Sequence, residues 1–163
     1  MLLFLVSCDK IASLLTFSIS NESSFTVNST SPVNIPFNIA TPDVATNSSQ
    51  EFENNKTHAN LVKNIQLSKL ELTVTSPDNK KFSFLKSIHI YISTNGSNET
   101  ELAWLDNIPA DAATIDLTTT TAKLDEYIKA SSYNLRTSVV TREVVTQNID
   151  IKINSKFQVT ANL

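Results

Sequence analysis

The run Ile149-Asp150-Ile151-Lys152-Ile153-Asn154-Ser155-Lys156-Phe157-Gln158-Val159-Thr160-Ala161 decides the fold. Ile149, Ile151, Ile153, Phe157, Val159 and Ala161 share one parity, while Asp150, Lys152, Asn154, Lys156, Gln158 and Thr160 hold the other. Successive side chains of a strand point to opposite faces. So long an alternation therefore describes a strand that crosses a whole sheet, one face in a core and the other in water.

Outward from that strand the same period recurs. Tyr133 to Arg142 reads as its predecessor. Near the other terminus Leu15, Phe17 and Ile19 alternate with Thr16, Ser18 and Ser20, and Phe25 and Val27 resume the pattern after a break at Asn21 to Ser23. Ile35, Phe37 and Ile39 alternate around Pro36, which confines that strand to an edge. Ile88, Ile90 and Ile92 oppose His89, Tyr91 and Ser93, and Asn95-Gly96 turns the chain into a returning strand at Glu101 to Asp106.

Between Ile65 and Thr75 the apolar phase slips by one, from Ile65 and Leu67 to Leu70, Leu72 and Val74, as a β-bulge requires. Ser76-Pro77-Asp78-Asn79-Lys80 is a turn, and Phe82 and Phe84 resume the alternation as a hairpin partner. Thr41 to Lys56 reads as a long polar connection, with short helical character following at Thr57 to Lys63. Ile115 and Leu117 precede one short helix near 122–130, where Leu124, Tyr127 and Ile128 fall at i, i+3 and i+4. Threonines mark its start, and Asp125 and Glu126 suit its dipole. The expected class is mainly β: an antiparallel two-sheet β-sandwich, Ig-like or jelly-roll-like, with an open barrel as the alternative. No fixed period marks a solenoid or propeller.

The 163 residues fit one domain able to bury a core without staples. A net charge of −3 with no basic stretch excludes the electrostatic footprint of a nucleic-acid binder. One cysteine makes no internal disulfide, and two histidines make no His-rich metal site, so neither metal nor other cofactor is expected. Gly96 is the only glycine, which excludes Gly-rich phosphate loops and leaves turns to asparagines such as Asn54, Asn55, Asn95, Asn98 and Asn107.

The chain opens Met1-Leu2-Leu3-Phe4-Leu5-Val6-Ser7-Cys8. Leu5-Val6-Ser7-Cys8 resembles a bacterial lipobox, in which a small residue precedes the cysteine that is lipidated. The resemblance implies lipidation at Cys8, with residues 1–7 a truncated signal-peptide remnant, 8–13 a tether and 14–163 a single β domain. The apolar stretch is short and has no basic residue before it, so the alternative reading makes Leu2 to Val6 a first strand and Cys8 a core thiol. Short lipobox and Asn/Ile/Lys/Ser/Thr-rich texture together resemble small Bacteroidetes lipoproteins, a likeness that brings no activity with it. It implies an outer-membrane protein held through its lipid. Asp9-Lys10, lacking the acidic run of surface-exported relatives, favours the periplasmic side.

No catalytic constellation stands out. His89 reads as a surface or edge histidine and His58 as a loop residue, because no second ligand has a placed spacing. Glu51/Glu53 and Glu99/Glu101 read as solvated loop pairs and Asp125/Glu126 as a helix surface, with no apolar pocket to raise a carboxyl pKa. Six Asn-x-Ser/Thr sequons reflect composition. Among the aromatics Trp104, Tyr91, Tyr127 and Tyr133, the candidates for a ligand face are Trp104 and Tyr91, since aromatic faces stack on sugars and favour interfaces; burial of Trp104 in the core is the competing reading. The sequence thus points to a non-enzymatic envelope lipoprotein, a binding or structural accessory module whose partner is another envelope protein or a glycan. The alternative is a carbohydrate-binding module for polysaccharide capture.

Overall fold

The structure, a computed structural model, describes residues 14–162. Cys8 and the lipobox lie outside the described residues, as does the reading of Leu2 to Val6 as a strand. The strands are β1 (Leu14–Val27), β2 (Phe37–Ala40), β3 (Val44–Ala45), β4 (Val62–Ser76) and β5 (Leu85–Ser93), then β6 (Thr100–Leu105), β7 (Thr114–Asp116), β8 (Thr118–Thr119), β9 (Ser132–Thr141) and β10 (Ile149–Asn162). Two short helices, α1 (Ser48–Asn54) and α2 (Asp125–Ile128), and 3-10 turns at Ala59–Leu61 and Phe82–Phe84 complete the described chain.

The first sheet has the order β1-β10-β4-β7. β10 is the alternating strand on which the sequence reading turns, and it lies inside the sheet with Ile151, Ile153, Phe157 and Val159 fully buried. β1 pairs with it from Leu14 opposite Asn162 to Val27 opposite Ile149 without a shift. The break expected at Asn21 to Ser23 is therefore absent. Asn21 and Ser23 keep the inward parity, and the Asn21 amide is satisfied by donating to the Tyr133 hydroxyl at 3.0 Å. On the other flank, β4 carries the expected bulge. Lys69 faces Lys156 and Leu67 faces Phe157, leaving Ser68 as the extra residue, so Leu67 and Leu70 are both buried despite opposite parity.

The second sheet runs β2-β9-β5-β6-β8, with β3 also pairing β9. β2 is an edge strand, as Pro36 dictates, but it starts after that proline; Ile35 stays outside it, 60% exposed. The sheets meet as an antiparallel sandwich, mainly β. Tyr133 of β9 meets Phe157 of β10 edge-on at 6.3 Å between ring centroids. Each such fully buried apolar side chain contributes about 1.5–3 kcal/mol.

Four local readings differ from the structure. Phe82–Phe84 is a 3-10 turn whose rings stack at 6.2 Å, both fully buried. No hairpin forms there, because β4 and β5 belong to different sheets. The 41–56 connection contains α1, anchored by Phe52, which is buried edge-on to Phe17 at 6.2 Å. The helix near 122–130 shrinks to Asp125–Ile128, with Leu124 rather than a threonine at its N-cap. Asp125 instead accepts the Ile65 backbone N–H at 2.9 Å, tying α2 to β4. Left-handed backbone falls on Asn34, Asn47, Asn79 and Lys56 besides Gly96, so asparagine does take the glycine role, at Asn79 in the expected 76–80 turn and otherwise at positions not expected. Asn95 and Asn98 shape the β5–β6 turn through their side chains: Asn95 Oδ1 accepts the Ser97 N–H at 2.9 Å and Asn98 Oδ1 the Thr94 N–H at 2.9 Å.

Candidate functional site: the outer face of the larger sheet

Ile88, Ile90 and Ile92 are fully buried, so β5 turns Ser87, His89 and Tyr91 outward. In β6, Glu101 and Trp104 have opposite parity and strict alternation would separate them across the sheet. The register shows how both face outward. Tyr91 pairs with Glu101 and Ile90 with Ala103, which leaves Leu102 as a bulge, buried together with Ala103. One row across this face reads Thr118, Trp104, His89, Ser138 and Asn38. The next reads Glu101, Tyr91, Arg136 and Ala40. Trp104 and Tyr91, the two candidates from sequence, are thus diagonal neighbours flanking His89, and Trp104 is half-buried rather than in the core.

His89 is held on both ring nitrogens. Nδ1 bonds Glu101 Oε1, and Nε2 lies 2.7 Å from Asp106 Oδ1. Ionised carboxylates only accept hydrogen bonds, and a neutral imidazole has a single N–H donor. With both carboxylates ionised, satisfying both contacts requires the doubly protonated imidazolium. Partial burial alone would lower the His89 pKa; the hydrogen bonds to Glu101 and then Asp106, with their charges, outweigh it and raise it above the ordinary histidine value. Asp106 and Glu101 are members of this face that the sequence reading left aside or placed in a solvated loop. Nothing in the one-dimensional pattern marks them, since the bulge at Leu102 sets their side.

Arg136 covers the other aromatic. Its guanidinium lies 4.2 Å from the Tyr91 ring centroid. It is fixed there by Glu99, through Nε at 3.0 Å and Nη2 at 2.6 Å, and by Asn38 Oδ1, which accepts from Nη1 at 2.8 Å. The Arg136 hydrogen bonds hold the Glu99 carboxyl below its usual range. A ligand over Tyr91 therefore meets the planar guanidinium, while Trp104 carries no comparable cover among the described contacts.

No family model matches the chain, and no curated protein matches it. Among the solved structures that show a weak likeness, two are from plant-named viruses. One, from Desmodium yellow mottle tymovirus, has 14% identity over 91% of this chain and 90% of that one, with a TM-score of 0.30. The other, from turnip yellow mosaic virus, has 10% identity over 93% and 96%, with a TM-score of 0.31. At these scores neither likeness enters the argument.

The remaining candidates lie elsewhere. Tyr127 and Tyr133 are buried. The Tyr127 hydroxyl donates to the Asn98 carbonyl at 2.5 Å, pinning the β5–β6 turn to α2, and burial raises its pKa. Burial pushes the Tyr133 hydroxyl up to about 12 against the lowering effect of Asn21. His58 is exposed beside the 3-10 turn at Ala59–Leu61. Among the described residues no group of three or more His, Cys, Asp or Glu side chains is placed to hold a metal ion.

Proposed function

We propose that this chain is a lipid-anchored, non-enzymatic binding module of a bacterial envelope, and that the outer face of the larger sheet takes the ligand. The observation that supports this reading is the shared outer face of Trp104, Tyr91, His89 and Arg136, to which the bulge at Leu102 also brings Glu101. Planar groups in fixed positions, ringed by hydroxyls and carboxylates that accept hydrogen bonds, suit a saccharide. Stacking covers the apolar face of the sugar, and the polar rim takes its hydroxyls. The anchor would be Cys8, outer-membrane lipid its membrane contact, and a glycan or glycosylated envelope protein its partner.

Trp104 is the sole tryptophan, so its fluorescence reports this face alone. Titration with an envelope-oligosaccharide panel should quench or shift its emission saturably, and Trp104→Ala should abolish binding with the fold intact by circular dichroism. A panel that leaves Trp104 silent while calorimetry detects no binding would refute the ligand face. Independently, Cys8→Ser should move the protein from membrane to soluble fraction; full membrane retention would remove the anchor.

A further inference from the structure

A second concavity lies where β5 begins and the chain leaves β6. Asn34, Lys86, Asn107, Ile108 and Arg142 line an open concavity of about 410 Å³. The lining holds two cations and two carboxamides but no carboxylate. Arg142 is oriented by the backbone: Nε donates to the Leu85 carbonyl at 3.1 Å, and Nη2 donates to the Leu85 and Ile108 carbonyls. Its Nη1 has no side-chain or carbonyl acceptor among the described residues. Lys86 is exposed and, like Lys56, Lys63, Lys81, Lys152 and Lys156, forms no ion pair among the described residues. Its position is set by a second bulge: Leu85 pairs with Thr141 and Ser87 with Val140, leaving Lys86 as the extra residue.

We propose that this concavity is an anion site for a phosphate group, separate from the aromatic face and independent of its function. A tetrahedral oxyanion offers several acceptor oxygens to the Nη1 N–H groups of a fixed guanidinium, a mobile ammonium and carboxamide N–H donors. Arg142 supplies the oriented donors, Lys86 the point charge, and Asn34 and Asn107 the neutral contacts. The phosphate of a soluble phosphosugar and that of a phospholipid headgroup present the same chemistry.

The test is a nitrogen-15 NMR titration of the full chain with inorganic phosphate at low ionic strength. Saturable shifts should cluster at Asn34, Lys86, Asn107, Ile108 and the Arg142 side chain. Lys86→Gln, which disturbs no packing, should weaken binding about fivefold, as loss of one exposed charge contact does; Asn107→Ala should weaken it less. Shifts spread equally over Lys152 and Lys156, or a Lys86→Gln protein that binds unchanged, would overturn the site. Cosedimentation of the Cys8→Ser chain with phosphatidylglycerol vesicles, lost in Lys86→Gln, would assign it to headgroups. Phosphate binding without vesicle binding would assign it to soluble phosphate, and failure of both would end the proposal.

Discussion

Replacing His89 by glutamine should remove a pH-dependent part of the stability. Glutamine keeps one N–H donor and stays neutral at every pH, so it cannot satisfy Glu101 and Asp106 as an imidazolium does. The two arms differ in weight. Glu101 is 38% exposed and shares a half-buried contact with the ring; Asp106 is 64% exposed and more fully screened. Exposed pairs contribute about 0.2–1 kcal/mol, which places the Glu101 arm near ~1 kcal/mol and the Asp106 arm at a few tenths. Because the His89 pKa is raised in the folded state, folding takes up protons between the unfolded and folded values. The stabilisation is fully present below about 6.5 and is lost as pH rises through the folded value. For a domain of this size ~1 kcal/mol corresponds to about 2–4 °C in Tm. Thermal unfolding followed by circular dichroism at pH 5.5 and 8.5 should therefore show wild type exceeding His89→Gln by about that margin at the lower pH, with the gap closing at the higher. Glu101→Gln should cost more than Asp106→Asn. Parallel pH profiles for wild type and His89→Gln, or a larger loss from Asp106→Asn, would refute the imidazolium clamp.

Other consequences follow from buried groups. Thr137 is fully buried in β9 with its hydroxyl unpartnered, so Thr137→Val should stabilise by about 1 kcal/mol, read as a higher midpoint in urea unfolding. Tyr133 is 2% exposed with its pKa near 12, so its burial favours the neutral phenol. That contribution is complete below pH 10 and declines as pH rises from 10 towards 12, by at most about 3 kcal/mol; Tyr133→Phe should lose this part of the alkaline destabilisation in pH-dependent melts. Phe52→Ala should cost about 3–5 kcal/mol and detach α1 from Phe17, seen as rapid hydrogen exchange over residues 48–54.

Strand identity was legible wherever a long element keeps one side to the core. β10 and β9 read directly, and the phase slip in β4 located the bulge at Ser68, because a bulge is the one event that changes parity without ending a strand. The edge position read from Pro36 holds for β2, although the proline itself sits just before the strand. The misses share a different cause. α1 buries one large apolar anchor in seven residues, too few to show a helical period. Phe82 and Phe84 alternate as a strand does, yet their burial comes from packing between the sheets, and a period of two over three residues does not separate those cases. Trp104 and Tyr91 were visible as aromatics on strands; their shared face, and the parts played by Arg136, Glu99 and Asp106, depend on register, which local sequence does not contain.

The two candidate sites occur where strand alternation is broken. β1 and β10 pair over fourteen consecutive positions without a shift, and an unbroken ladder leaves each side chain the face its parity assigns. The Ser68 bulge in β4 serves the core, since it returns Leu70 and Leu72 to the interior. In the second sheet the bulges act outward: Leu102 brings Trp104 beside His89, and the extra residue Lys86 joins the lining of the basic concavity. A bulge twists its strand and re-aims one side chain at the expense of local pairing. The bulges of β5 and β6 therefore bring together residues that an unbroken alternation would scatter between core and solvent.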